Sequence, residues 1–214
     1  MEKVDRTHWE RAELFEFFSA VSHPFYSVTF RVDVTNLYRY VKERHLSFYY
    51  AMGYLVTDAV NSVKNFRYAI RDGEVWLLDE RIPSLTDLKP GSEQFHIVTL
   101  PKVGGIAEFC ASAQARSSAQ KTLLDQDEEN DNLIYISCTP WFDLTGCTNE
   151  RDFDRDDNIP PHHMGQIWRG KWPQEIGDVG GGQSPLHRRS PSGEILRETT
   201  GRHRRTIRRH SDVS

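Results

Sequence analysis

The sequence predicts a two-layer α/β sandwich, a mixed β-sheet covered by helices, followed by an aberrant and disordered C-terminal tail. Three observations carry this. Through the first 158 residues, short runs of period two are interleaved with amphipathic stretches of helical period. The strongest of those stretches, 47–63, has one broad apolar face that a sheet must cover. Composition then breaks near residue 159: all eleven Phe and all eight Tyr precede it, while eight of the fourteen Gly follow it.

The opening THWERAELFEFFSAV reads as a helix, with Thr7 as cap, Glu10 three residues on, and Trp9, Leu14, Phe15, Phe18 and Val21 along its apolar side. Pro24 ends it. YSVTFRVDV, residues 26–34, alternates as a strand, and a helix follows over 35–44. From Ser47, FYYAMGYLVTDAVNSV sets Phe48, Met52, Leu55, Val56, Ala59, Val60 and Val63 at helical spacing. RYAIRDGEVWLLDE is two extended runs around Asp72-Gly73, a residue pair suited to the left-handed positions of a hairpin turn. Residues 94–100 read as a strand, 105–125 as a helix rich in Ala, Ser and Gln, and 132–141, apolar and β-branched, as a buried strand. LDQDEENDN is a solvated acidic loop, and there is no internal repeat.

At 214 residues the chain suits one domain, or one domain and a tail. No run approaches the roughly 18 apolar residues of a membrane span, and the charged opening MEKVDRTHWERAE lacks the apolar centre of a secretory signal. A cytoplasmic protein with no membrane partner is the expectation. Cys110, Cys138 and Cys147 are odd in number and hold no CxxC pair, so they read as buried free thiols. Residues 159–214 carry ten Lys and Arg against five Asp and Glu, a net of +5, whereas 1–158 carry −9. The break divides the chain into a domain over 1–160 and a basic, Gly- and Arg-rich tail over 161–214.

Five motifs in order, WERAELFEFF, FYSVTFRVDVT, the FYYAM helix start, NFRYAIRDGEVWLLDE and IYISCTPWFD, resemble the chloramphenicol acetyltransferase family. The resemblance covers about residues 3–160. It implies a homotrimer of two-layer α/β subunits with active sites in the clefts between neighbours. It also implies acetyl transfer from acetyl-CoA, a co-substrate, to the 3-hydroxyl of chloramphenicol, with no metal and no bound cofactor. The family's base is a histidine in an HHxxxDG-type motif near the C-terminus, which removes the proton from the attacking hydroxyl; the tetrahedral oxyanion needs a hydrogen-bond donor. The motif's Asp pairs with an Arg near the N-terminus, matching Arg11 here. Phe25 and Tyr26 fall where the family's substrate pocket begins, with ordinary core packing as the other reading, and Thr86 is a further candidate for that pocket. Gly146 stands near the position where some members carry an oxyanion-assisting Ser, and it offers no hydroxyl.

This chain has no HxxxDG. His162-His163 is followed by MGQIW, and His187, His203 and His210 lie among arginines with no Asp-Gly after them. The His162-His163 pair reads as solvated loop histidines, or as a metal-ligand fragment. The tail suggests why the motif is missing. Gly182 to Arg189 can be written GGT CAA TCA CCG CTT CAT CGA CGG. Read one base later, with a T from Ser190, this gives V-N-H-R-F-I-D-G, which contains the absent motif. The same shift allows W-G-K-Y-G-E-E-N from Met164 to Trp172 and V-K-F-Y-E-K-L-Q, an amphipathic C-terminal helix, from Gly193 to Thr200. Residues from about Pro161 onward are therefore expected to be out of frame, without a stable fold, and the chain as written to be impaired.

VGGGQS, 179–184, lacks the GK[ST] of a phosphate loop. RHRRTIRRH, 202–210, has clustered cations but no aromatic interleaving, so specific nucleic-acid binding is not expected. The alternative to an acetyltransferase is a non-enzymatic, partly folded product with a nonspecific basic tail.

Overall fold

A computed structural model describes residues 1–89, 91–125, 127, 130–151, 156–168, 174–183 and 186. The elements run β1 (Glu2–Lys3), α1 (Ala12–Ser19), β2 (Phe25–Asp33), α2 (Thr35–Glu43), α3 (Phe48–Ser62), β3 (Tyr68–Arg71), β4 (Glu74–Leu77), β5 (Ile82–Leu88), β6 (Phe95–Thr99), α4 (Ile106–Ala119), β7 (Leu133–Cys138), β8 (Pro161–Trp168) and β9 (Glu175–Gln183). A six-stranded mixed sheet, in the order β2-β9-β8-β7-β5-β6, is parallel at β5·β7 and β7·β8 and antiparallel elsewhere. A small antiparallel sheet has the order β1-β4-β3.

α3 forms where its periodicity places it because Ser47 caps it: the Ser47 hydroxyl accepts the Tyr50 N–H at 3.3 Å. Its buried face, including Met52, Leu55, Val56 and Val60, packs with Leu85 of β5, Val98 of β6, Ile134 and Ile136 of β7, Met164 of β8 and Ile176 of β9 into one core. Each such side chain contributes about 1.5–3 kcal/mol when fully buried. The helix lies close: a Cβ on Gly53 would come within 2.9 Å of Leu85 Cδ2. A second cluster, Phe15, Tyr68, Ile70, Val75 and Leu186, seats α1 on the small sheet. Asp72 and Gly73, with φ of 52° and 74°, make the hairpin turn that joins β3 to β4.

Two expectations change. Thr7 does not cap α1, which begins at Ala12; its backbone N–H and hydroxyl instead donate to Asp5 Oδ1 at 2.9 and 2.6 Å, closing a local turn before the helix. The domain also does not stop at residue 160. β8 and β9 lie past that boundary yet sit in the middle of the large sheet, where β9 pairs with β2 from Phe25↔Gln183 to Asp33↔Glu175. A strand between two partners is held by backbone hydrogen bonds that any sequence supplies, so the tail's weak apolar pattern did not announce it. VGGGQ closes β9 as strand. Residues 187–214, with His187, His203, His210 and the RHRRTIRRH stretch, lie outside the described residues.

Glycine in β8 and β9 makes room for the loop after β7. A Cβ on Gly165 would meet Leu144 Cβ at 2.5 Å, and one on Gly177 would meet the Leu144 carbonyl oxygen at 2.4 Å. The Arg31–Asp143 ion pair at 2.7 Å and the Ser27 hydroxyl donating to Cys147 O at 3.3 Å tie the same loop to β2.

Arg81, 1% exposed, opens β5 and donates to the carbonyls of Phe66, Tyr68, Asp131 and Leu133 and to Asn158 Oδ1 at 2.7–3.2 Å. Burial lowers its pKa to about 9, which leaves it charged at neutral pH. Arg81→Met should destabilise the fold by at least about 4 kcal/mol in urea denaturation, because an unsatisfied buried acceptor costs about 1–3 kcal/mol. Arg81→Lys should lose most of the same amount, since an ammonium cannot span the fork.

Candidate active site

A smaller and a larger cleft open on the sheet. The smaller, about 120 Å³, lies at the head of β2 and holds Phe25 and Tyr26 beside His23, Cys147, Arg151 and Pro161. The Arg151 guanidinium sits 4.5 Å over the Phe25 ring and is held by Asp157 at 3.0 and 3.2 Å and by Ile159 O at 2.9 Å. This volume is below the roughly 300 Å³ lower limit for drug-sized ligands.

The larger cavity, about 590 Å³, is of ligand size. It lies at the C-terminal ends of β5 and β7 against the start of α3, and Thr86 is in its wall with Phe48, Tyr49, Asp87, Phe95 and Trp141. The Tyr49 hydroxyl lies 2.8 Å from Thr86 O and 2.9 Å from Ile136 O, bridging the parallel strands at the cavity edge. Burial raises its pKa well above the usual phenol range, so it stays a neutral donor. The three substrate candidates thus divide: Phe25 and Tyr26 share the small cleft, and Thr86 belongs to the large one.

Behind Thr86 is a buried polar chain. Tyr50, Ser117 (2.6 Å) and the Leu88 N–H (2.9 Å) all donate to the Asp87 carboxylate. Because the Ser117 proton goes to Asp87, its oxygen accepts from His96 Nε2 at 2.9 Å. His96, 1% exposed, is thus a donor within the core at that nitrogen. Sequence spacing did not reveal this chain, since its members come from α3, β5, β6 and α4.

Arg11 lies just before α1, 8% exposed, with Tyr68, Glu10 and Tyr26 as its charged and phenolic neighbours. Burial lowers its pKa. β9 ends at Gln183 opposite Phe25, with Gly182 opposite Tyr26. Arg11, Phe25, Tyr26 and the end of β9 therefore converge. Gly146 lies in the loop after β7, with open space where a side chain would be.

His162 and His163 are not solvated loop residues. They are paired strand positions in β8, 2% and 9% exposed. His162 Nε2 lies 2.6 Å from Asp178 Oδ1 of β9, and Asp178 is 0% exposed. His163 lies on the other face, with Nδ1 2.5 Å from Ser137 Oγ and Nε2 3.2 Å from Thr139 Oγ1. Among the described residues, no group of three or more His, Cys, Asp or Glu is placed to hold a metal ion. Cys110 is buried, and Cys138 and Cys147 are partly so; all three are free thiols. Burial raises Cys110 to about 11 and Cys138, with Asp178 adding, to about 12. Neither is a thiolate near neutral pH.

Helices on one face of a mixed sheet, with two clefts at its strand ends, define a two-layer α/β domain of the kind seen in acetyltransferases. A solved chloramphenicol acetyltransferase superposes with a TM-score of 0.83 at 20% identity, covering 94% of this chain and 98% of that one. A probable dihydrolipoamide acetyltransferase from Listeria monocytogenes superposes at 0.66, with 11% identity and coverage of 96% and 95%. The family is specific: the chloramphenicol acetyltransferase model matches residues 1–169, and the chain belongs to that family. A chloramphenicol acetyltransferase of Clostridioides difficile is 30% identical over 170 residues, 78% of each chain. One of Clostridium perfringens is 29% identical over 172 residues, 78% of this chain and 81% of its own. The family match in sequence ends at residue 169, whereas likeness in shape runs further.

The buried His162–Asp178 pair gives a test of the packing. Asp178→Ala should cost about 1–3 kcal/mol by leaving the buried His162 ring nitrogen without its partner, whereas replacing both residues with apolar ones of similar volume should be nearly neutral or stabilising in denaturant titration.

Proposed function

We propose that this chain is built as a chloramphenicol O-acetyltransferase, moving acetyl from acetyl-CoA to the 3-hydroxyl of chloramphenicol as a cytoplasmic homotrimer without a bound cofactor, and that as written it is impaired. One observation carries the reading. The β2–β9 register brings the end of β9 beside Phe25 and Tyr26, so the residue after Gln183 follows directly on the substrate aromatics. Arg11 and Tyr26 are neighbours there. In the shifted frame V-N-H-R-F-I-D-G, the first two residues fall on Gly182 and Gln183 and the histidine on Ser184.

The chemistry asks for a base at that point. An alcohol attacks a thioester slowly unless a positioned imidazole takes its proton. The Asp four residues after that histidine would pair with Arg11, as the family resemblance implies. A ligand-sized cavity with aromatic walls suits a nitrophenyl ring or an acyl-pantetheine arm. What the chain retains is the scaffold and the binding walls; what it lacks is the base and the turn that supports it. A gene in which no single-base indel near codon 160 restores HxxxDG would overturn the frame reading.

The chain and a version with the frame corrected from about residue 161 should be compared by chloramphenicol-dependent CoA release. The corrected chain should be faster by more than the roughly 10²–10⁴ that a general base supplies, because substrate positioning is restored as well. Rates within tenfold would place the base elsewhere.

A further inference from the structure

We infer that Ser137 and His163 form a nucleophile–base pair that accepts an acyl group from an activated ester or thioester, independently of the base missing after Gln183. The β7–β8 register pairs the two residues directly, Ser137↔His163. Ser137 Oγ lies 2.5 Å from His163 Nδ1, and Thr139 Oγ1 lies 3.2 Å from Nε2 on the far side of the ring. With Nε2–H donating to Thr139, Nδ1 is left as an acceptor for the Ser137 proton. A nucleophile, a base within hydrogen-bond reach and a third group that orients the base are the parts that hydroxyl activation requires.

The ring is suited to the task. Burial, with His162 adding, lowers the His163 pKa, against an opposing pull from Asp178, so the imidazole is a neutral base at pH 7. Ser137 and Thr139 are half-buried rather than sealed in the core. Ile136 pairs with Leu85, so one residue further along both strands Thr86 stands beside Ser137 on the same face. Thr86, Ser137 and His163 thus make a row across three neighbouring strands, next to a wall of the larger cavity.

The step balances within these groups. Ser137 Oγ bonds to the acyl carbon as its proton passes to His163 Nδ1, and the bond to the leaving oxygen or sulfur breaks. The leaving group departs with the electron pair and takes the proton directly or through solvent. Water, deprotonated by the same nitrogen, later cleaves the acyl-serine to the free acid.

The test is p-nitrophenyl acetate with the full chain near neutral pH, followed by p-nitrophenolate release and by peptide mass. The expected result is a burst of about one equivalent, with the acetyl group on the peptide that contains Ser137. Ser137→Ala should abolish the adduct at that peptide. His163→Gln should slow acylation by about 10²-fold or more. Thr139→Val, which keeps the fold's shape, should slow it by a smaller factor by freeing the ring, and circular dichroism should be unchanged. No burst in the parent chain, an adduct at another residue, or full acylation of Ser137→Ala or Thr139→Val would overturn the inference. None of these readouts uses chloramphenicol or CoA, so the result stands apart from the proposed function.

Discussion

Arg81 is the constraint on which the arrangement depends. A single guanidinium at the start of β5 gathers carbonyls from the segment before β3, from both sides of the start of β7 and from the stretch leading into β8. These segments belong to both sheets, so one buried cation fixes where the hairpin sheet meets the large one and where the parallel strands begin. Asn158 completes the joint, accepting from Arg81 and donating to Ile70 O at 3.2 Å. Five planar donors in a fixed fork suit this task, and a buried charge with so many partners makes the joint all-or-none.

With the strand starts set there, the smaller cleft lies at that same end, beside Pro161 and the head of β2, and the larger cavity at the opposite ends of β5 and β7. Tyr49 holds β5 and β7 where Thr86 and Ile136 present their carbonyls, and the larger cavity lies beside that bridge. The smaller cleft forms where β2 runs alongside β9 and the loop after β7 folds back over glycines. Both walls draw on residues past the composition break as well, with Met164, Gly165, Gln166, Ile167 and Ile176 in the larger cavity and Pro161, Val179 and Gly181 in the smaller cleft.

How much of this was legible varies with the kind of signal. α3, β2 and the Asp72-Gly73 hairpin were readable because period and turn residues acted together at each, and Ser47 supplied a cap in addition. The Thr7 cap failed because Asp5 offered the hydroxyl a closer partner. β8 and β9 were invisible because neither PHHMGQIW nor EIGDVGGGQ alternates cleanly, and their places come from the ladders of β2 and β7. Of the site residues, Arg11, Phe25, Tyr26 and Thr86 came from family resemblance. The Asp87–Ser117–His96 chain and the Ser137–His163 pair exist only through strand register and helix packing, which no local pattern records.

The sheet of the acetyltransferase fold runs through the composition break to Gln183. Native-state hydrogen exchange of the full chain tests this most directly. Amides of β8 and β9 that sit in the ladders should be protected to within about tenfold of those in β7, since contiguous strands open together. Exchange of 162–167 and 176–182 at the rate of an unstructured peptide, with β7 still protected, would contradict it.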